Sequence, residues 1–86
     1  MFFYVYMLKS IKIGFKKTYI GYTKNLAKRL KSHNSNKGAK FTKGKKWVLI
    51  YKKRYKSKSE AMTNEYKLKK DRKERLRLLY EYKKES

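Results

Sequence analysis

The sequence lacks several residue types on which common binding and catalytic sites depend. Its 86 residues include no cysteine and only one histidine, His33. The absence of cysteine excludes disulfides, zinc knuckles, iron–sulfur sites and a cysteine nucleophile. A single histidine excludes every metal site built from clustered imidazoles.

Proline, serine–glycine linkers and long apolar runs are also missing. No run approaches the roughly 20 apolar residues that span a bilayer. The apolar start at 1–8 has neither a preceding basic region nor a following small-residue cleavage site. We therefore interpret residues 1–86 as one domain, with 81–86 a polar tail, and expect a cytoplasmic protein with no membrane partner.

Negative charge is scarce, and positive charge dominates. Lys and Arg number 27 against 6 Asp and Glu, so the formal net charge is +21. Such a charge repels itself in the folded state and indicates a polyanionic partner, with nucleic acid first and an anionic membrane second. The alternative is compositional, because lysine is the default surface residue in proteins of A+T-rich genomes. Aromatic residues at 16% argue against a disordered basic tail.

Hydrophobic patterning predicts three strands. Residues 2–8 form a dense aromatic and β-branched run, and residues 18–22 form a shorter one. Their short connection favours antiparallel pairing. The apolar run at 47–51 predicts a third strand, which we expect to be the most buried of the three. Residues 52–58 are then expected to return the chain to the surface. The segments 10–17 and 34–46 are predicted to be loops.

Capping residues predict three helices. The first begins at Thr23 or Asn25 and runs through Leu26, Leu30 and His33. The second and third begin at the capping patterns of Ser57 with Glu60 and of Asp71 with Glu74. The order β-β-α-β-α-α predicts an α+β domain whose three-stranded, mainly antiparallel sheet is flanked by helices.

Helical spacing also predicts which residues these last two helices bury. The expected buried residues are Ala61, Met62, Tyr66 and Leu68 in the second helix and Leu76, Leu79 and Tyr80 in the third.

Glu65 is the one acidic residue without an obvious structural or solvated role. The other five fit helix caps or the polar tail: Glu60, Asp71, Glu74, Glu81 and Glu85. Glu65 shares a helix face with Ala61 and Leu68 at i, i+4 and i+7. A carboxylate on that face needs a cation or a metal as partner. An ordinary ion pair with a lysine is the alternative.

Arg29 and His33 lie one helical turn apart, so they project from one face. An arginine beside an imidazole can clamp a phosphate and handle a proton, although a solvated basic face has the same spacing. Nine tyrosines are present, with Tyr6 in the first strand and Tyr19 in the second. Tyrosine can act as an acid, a base or a phosphate donor, but it more often packs its ring.

Taken in order, these residues resemble the motifs of the GIY-YIG nuclease domain. The resemblance rests on 4–6 (Tyr-Val-Tyr), 19–21 (Tyr-Ile-Gly), Arg29, His33 and Glu65, and it covers residues 2–80. Residues 38–42 further resemble a segment of the small, single-domain bacterial members. Two departures are visible. Tyr4 stands where the family has a glycine. Some members have an asparagine after the glutamate, but no asparagine follows Glu65 in this chain.

The resemblance implies a metal-dependent DNA endonuclease that selects DNA by structure rather than by sequence, in DNA repair or recombination. It implies that Glu65 holds one divalent ion, Mg²⁺ or Mn²⁺, and that Arg29 contacts the scissile phosphate. Tyr6 or Tyr19 would activate the attacking water, with a pKa lowered by nearby cations. His33 would orient a tyrosine or the phosphate, and Gly21 would let the backbone pass beneath the site.

The resemblance also implies a partner, DNA, and a location at the bacterial nucleoid when DNA is bound. The central loop offers five lysines for the phosphate backbone: Lys37, Lys40, Lys43, Lys45 and Lys46. No small-molecule cofactor is expected, and a partner protein could supply targeting. Two alternatives stay open at this point: a nucleic-acid-binding module of the same fold with little catalysis, and a ribosome-associated basic protein.

Overall fold

A computed structural model of the chain describes residues 1–11, 17–35, 37 and 46–85. The elements are β1 (Phe3–Ser10), β2 (Thr18–Thr23), α1 (Leu26–Asn34), β3 (Trp47–Tyr55), α2 (Lys58–Lys70) and α3 (Arg72–Glu85). Their order confirms the predicted α+β class and the β-β-α-β-α-α sequence. Most of both predicted loops lies outside the described residues. No helix in the described ranges is long and apolar enough to cross a membrane.

The sheet has the strand order β2-β1-β3, and both neighbours run antiparallel to β1. The sequence of β1 is compatible with this central place, because its run of large apolar and aromatic residues can be buried on two faces at once. The residues from Val5 to Leu8 are each only 1–2% exposed. Tyr6 faces Gly21 across one ladder and Lys52 across the other.

The expectation that 47–51 is the most buried strand is wrong. β3 has one neighbour in the sheet, and beyond Trp47, which is 3% exposed, its residues 48–51 are only half-buried. The strand also continues to residue 55, four residues beyond the predicted end, although residues 52–54 reach the surface as predicted, with exposed basic side chains. An edge strand can continue in this way because it need not bury both of its faces.

Two apolar clusters form on opposite faces of β1, because successive side chains of a strand alternate. One face carries Val5 and Met7, which pack with Ile20 and with α2 and α3 through Ala61, Leu68 and Leu78. The other face carries Tyr6 and Leu8, which form a cluster with Trp47 of β3. Leu26 and Leu30 of α1 pack against this cluster. Helix α1 therefore covers one face of the sheet, and α2 and α3 cover the other.

The predicted buried faces of α2 and α3 are only partly right. Met62 and Tyr66 are 47% and 58% exposed, and Leu76 and Tyr80 are 53% and 67% exposed. Leu79 is half-buried, and Leu78, which the spacing argument missed, is buried. A sheet of three strands offers room for only a narrow stripe from each helix, so the residues beside that stripe remain in solvent.

The three predicted N-caps are confirmed. Asn25, rather than Thr23, caps α1 by accepting a hydrogen bond from the Lys28 backbone N–H at 3.1 Å. Ser57 accepts from the Glu60 N–H and Asp71 from the Glu74 N–H, each at 3.1 Å. Helix α3 continues through the polar residues 81–85, where the Glu81 carboxylate accepts from Arg77 at 2.8 Å.

Candidate active site

The Tyr6 hydroxyl is the centre of a hydrogen-bonded cluster between β1 and α1. Its oxygen lies 2.9 Å from Nε2 of His33 and 3.4 Å from Nε of Arg29. Arginine can only donate, so the Tyr6 oxygen accepts from Arg29. The tautomer of His33 sets the direction of the other bond: with the ring proton on Nδ1, Tyr6 donates to Nε2. One turn of α1 separates Arg29 from His33, which brings both side chains to the same hydroxyl.

His33 is neutral in this setting. It is fully buried, and burial together with the positive charge of Arg29 lowers its pKa from 6.5 to about 4. The alternative of a solvated basic face is therefore wrong for this pair. A neutral buried imidazole with an acceptor nitrogen on a phenol is able to take a proton from that phenol.

The expected lowering of a tyrosine pKa is not found at Tyr6. Burial raises the pKa of Tyr6 above its usual 10 and outweighs the opposing hydrogen bond from Arg29. Nearby negative charge at Tyr19, in its ionised form, and at Glu65 raises it further. Tyr6 is thus a neutral phenol at physiological pH, because the cost of desolvating a phenolate exceeds the benefit of one adjacent cation.

Tyr19, on β2, completes the aromatic part of the cluster. Its ring centroid lies 4.8 Å from that of His33 and 6.3 Å from that of Tyr6. Hydrogen bonding to Tyr6, and to a lesser extent to Tyr19, raises the pKa of Arg29. The guanidinium of Arg29 therefore stays charged at any physiological pH.

Gly21 is required by the close approach of both tyrosine rings. A Cβ at this position would lie 2.5 Å from the Tyr6 oxygen and 3.2 Å from a ring carbon of Tyr19. The Tyr6 ring lies across the β2 backbone at the residue with which it pairs in the ladder. Tyr6 can reach His33 and Arg29 from this position only if residue 21 has no side chain.

Glu65 approaches from α2, the helix on the other face of the sheet. Its side chain is 18% exposed, and its Oε1 lies 3.4 Å from Nζ of Lys69, one turn further along α2. The ion pair with a lysine, which was the alternative to a metal ligand, is thus present. Among the described residues no hydrogen bond joins Glu65 to the tyrosine cluster, but its charge contributes to the raised pKa of Tyr6.

A side-chain contact that holds the end of α1 against β3 was not predicted from the sequence. Asn34 begins the predicted loop 34–46, but its side-chain amide pairs with the Trp47 backbone, accepting from the N–H at 2.6 Å and donating to the C=O at 3.1 Å. This pair ties the end of α1, just after His33, to the start of β3. A polar residue at a helix end gives no sequence signal that distinguishes such a bond from a simple cap.

Of the five loop lysines, two can be placed. Lys37 and Lys46 are exposed near the carboxyl end of α1, where the Lys46 ammonium donates to the Asn34 carbonyl at 3.2 Å and the Lys37 backbone N–H donates to the Ser32 carbonyl at 2.9 Å. Lys40, Lys43 and Lys45 lie outside the described residues.

Comparison with known proteins identifies the family. A family model described as the GIY-YIG catalytic domain matches residues 2–78. The chain belongs to the GIY-YIG family. This is a family of endonucleases, and a GIY-YIG domain implies a nucleic acid substrate. Tyr4 stands at the place of the first glycine without disturbing the ladder, since it keeps its partners Thr23 and Arg54.

Small proteins are the relatives of this GIY-YIG chain. It is 41% identical to a UPF0213 protein of Staphylococcus haemolyticus, over 91% of this chain and 94% of the relative. It is 42% identical to the UPF0213 protein YazA of Bacillus subtilis, over 99% of this chain and 82% of YazA. The solution NMR structure of a UPF0213 protein of Bacillus halodurans matches with a TM-score of 0.54 and 36% identity, over 93% and 84% of the two chains.

GIY-YIG nucleases generally use a divalent metal ion, and Glu65 fits such an ion as a single ligand. In the described part of the chain no three His, Cys, Asp or Glu side chains cluster. The protein's own contribution would therefore be one accessible carboxylate. One carboxylate fits a hard divalent cation, since such an ion can be held by one or two carboxylates together with waters and substrate phosphate oxygens.

Proposed function

We propose that this protein is a metal-dependent DNA endonuclease that hydrolyses phosphodiester bonds and selects its substrate by DNA structure. The observation that carries the proposal is the cluster in which the Tyr6 hydroxyl is hydrogen-bonded to a neutral, buried His33 and accepts from a charged Arg29. A core has no need for these three groups together. Phosphodiester hydrolysis needs a proton acceptor and a cation at a phosphate.

Glu65 is the proposed ligand of one divalent ion, Mg²⁺ or Mn²⁺. When bound, such an ion stabilises negative charge on the phosphate and on the leaving oxygen. Glu65 can serve because its carboxylate is partly exposed and its partner Lys69 is held by a solvent-accessible ion pair that is readily exchanged.

Tyr6 and His33 are proposed to act together as the proton acceptor. Because its pKa is raised, Tyr6 is not present as a phenolate before the reaction. It can take a proton from water if its own proton passes along the 2.9 Å hydrogen bond to Nε2 of His33 in the same step. Burial and the charge of Arg29 oppose the imidazolium that this forms, so the step requires the negative charge of a phosphate bound at Arg29 to offset the guanidinium. Tyr19 is the other candidate, and its hydrogen bond to Arg29 favours a positioning role.

Arg29 is proposed to contact the scissile phosphate. Its guanidinium is hydrogen-bonded to Tyr6 and stays charged, so it can meet the charge that develops on the phosphate in the transition state. The exposed Lys37 and Lys46, together with Lys40, Lys43 and Lys45, are proposed to bind the phosphate backbone. Backbone contacts carry no base sequence, which supports selection by DNA shape, and with it a role in DNA repair or recombination.

The first experiment measures cleavage of labelled duplex, single-stranded, flap and four-way DNA with Mg²⁺, Mn²⁺ or EDTA. We expect metal-dependent cleavage that Glu65→Gln abolishes. The matched control is Glu60→Gln, which removes the same charge from an exposed position of the same helix. Cleavage by Glu65→Gln equal to that of Glu60→Gln would refute the assignment of Glu65.

A second experiment separates the two tyrosines. Tyr6→Phe removes the hydroxyl bonded to His33, and we expect single-turnover cleavage to fall about 10²-fold or more. Tyr19→Phe keeps that pair, and we expect a smaller fall. The reverse order would make Tyr19 the proton acceptor.

A catalytically weak nucleic-acid-binding module is the second candidate. The net charge of +21 and the occupation of Glu65 by Lys69 favour it. Tight, salt-sensitive DNA binding without cleavage on any substrate, unchanged by Glu65→Gln, would establish this function in place of the nuclease.

A further inference from the structure

An open depression of about 350 Å³ adjoins Tyr19 beside the edge strand β2. It is lined by Thr18, Tyr19, Ile20, Lys69 and Arg75. The two cations come from different helices, Lys69 from α2 and Arg75 from α3, and the two hydroxyl-bearing side chains come from β2. Two cationic and two hydroxyl-bearing side chains thus border one open concavity, and such groups can donate to a phosphate.

The backbone of α2 holds Arg75 in place. Its Nη1 donates to the Leu68 carbonyl at 3.0 Å and also to the Lys69 carbonyl, so it satisfies two carbonyls at the end of the helix. A guanidinium has five N–H donors, and within the described part of the chain the three on Nε and Nη2 have no acceptor, so they can serve a ligand. Because the side chain is already fixed, binding an anion costs little conformational entropy.

Lys69 lies between this depression and Glu65. Its ammonium is 3.4 Å from the Glu65 carboxylate, and its side chain also lines the depression. The Lys69 side chain is 51% exposed against 18% for Glu65. Exposed pairs of this kind are weak, so a phosphate that enters the depression competes effectively for Lys69.

We propose that the depression is a second phosphate subsite, which takes a phosphodiester neighbouring the one cleaved, and that Lys69 exchanges Glu65 for this phosphate when nucleic acid binds. The exchange frees the Glu65 carboxylate for the divalent ion, so that nucleic acid binding prepares the metal ligand. The second part of this inference, the release of Glu65 for the metal, rests on the proposed function. The phosphate subsite itself requires only that the protein bind nucleic acid.

The first test is the salt dependence of DNA binding in EDTA, with Lys69→Met compared with Lys67→Met. Both lysines are exposed on α2, but Lys67 lines a different concavity, between α2, α3 and β3. A plot of log K against log salt has a negative slope, and loss of one phosphate contact reduces the magnitude of that slope by about 0.9 on duplex DNA. We expect this decrease for Lys69→Met and none for Lys67→Met. Equal slopes for the two variants would overturn the subsite.

The second test is Mn²⁺ affinity of the free protein, measured by electron paramagnetic resonance without DNA. Because Lys69 competes for Glu65, we expect Lys69→Met to bind Mn²⁺ up to about fivefold more tightly than wild type, and more tightly than Lys67→Met. Equal affinities for the two variants would overturn the exchange.

Neither test depends on DNA cleavage. A protein that cuts no DNA, but shows the lower slope in Lys69→Met, would retain the subsite and lose the nuclease proposal. A protein that cuts DNA, but shows equal slopes, would retain the nuclease proposal and lose the subsite.

Discussion

The two faces of β1 are buried to the same degree but built from different chemistry. Val5 and Met7, on one face, pack against apolar side chains of β2, α2 and α3. Tyr6, on the other, packs beside Leu8 and hydrogen-bonds to His33 and Arg29. Residues 5–8 are all 1–2% exposed. Burial alone therefore does not separate core from candidate site in a domain this small.

The polar face is stable because its groups satisfy one another. In the described part of the chain no buried side-chain nitrogen or oxygen lacks a hydrogen-bond partner. A buried polar network costs little when every member is bonded and a great deal when one is not. The apolar face has no such dependence, so the two faces should respond differently to substitution.

The largest expected effect is on cleavage, from the polar face. Arg29→Met removes the cation proposed to meet the scissile phosphate, and we expect single-turnover cleavage to fall by about 10²–10³-fold. Lys28→Met is the control, because Lys28 is the exposed neighbour of Arg29 on α1. Similar losses in both variants would show that Arg29 contributes only general charge.

A large effect on stability is expected from the apolar face. Met7→Ala leaves a cavity beside Val5 and Ile20, and we expect the free energy of unfolding to fall by about 2–5 kcal/mol. Urea denaturation measures this loss. Cleavage per folded molecule should stay within about twofold of wild type, since Met7 points away from Tyr6. A folded but inactive Met7→Ala would contradict the separation of the two faces.

Gly21→Ala should affect both stability and cleavage. The new Cβ would meet the Tyr6 oxygen at 2.5 Å and displace the ring from His33. We expect a loss of about 1–3 kcal/mol in the free energy of unfolding, together with reduced cleavage. Calorimetry and the cleavage assay measure the two effects. An unchanged unfolding temperature would mean that Tyr6 can lie elsewhere without cost.

The smallest expected effect is a pH dependence from His33. Its pKa is about 4 in the folded protein against 6.5 ordinarily, so between these values the unfolded chain binds more protons. The free energy of unfolding should therefore fall as the pH drops from 6.5 to 4. His33 is the only histidine, so its NMR titration is unambiguous.

His33→Gln is the control for this titration, because carboxylates also titrate near pH 4. The variant should lose stability less steeply than wild type over the same interval. An NMR midpoint near 6.5 for His33 in wild type would contradict its neutral, buried state.

Local patterns predicted much of the fold. Caps at Asn25, Ser57 and Asp71 begin helices in the structure because side-chain oxygens satisfy nearby N–H groups whatever the rest of the chain does. Strand β1 was recognisable from its aromatic and β-branched run. The prediction failed where the answer depends on distant partners, as with β3, whose edge position exposes residues that a central strand would bury.

For the candidate site too, some features were predicted from the sequence and others depended on contacts between distant residues. Resemblance to the family selected Tyr6, Tyr19, Arg29, His33 and Glu65 as the residues of interest, and their roles stay predictions. The structure brings the first four together and shows Glu65 paired with Lys69. It also reverses the expected direction of the Tyr6 pKa, because burial at the centre of the sheet exceeds the effect of neighbouring cations.

By itself the sequence determined the order of elements, the caps and the net charge, since each follows from residue types and short spacings. Only the tertiary structure decided which strand is central, why residue 21 must be glycine and which protonation states the cluster adopts. Those properties depend on the meeting of residues far apart in the chain, such as Tyr6 and His33, which lie 27 positions apart. A hydrogen bond or a pKa shift is set by distance in space and by burial, and neither is a local property of the sequence.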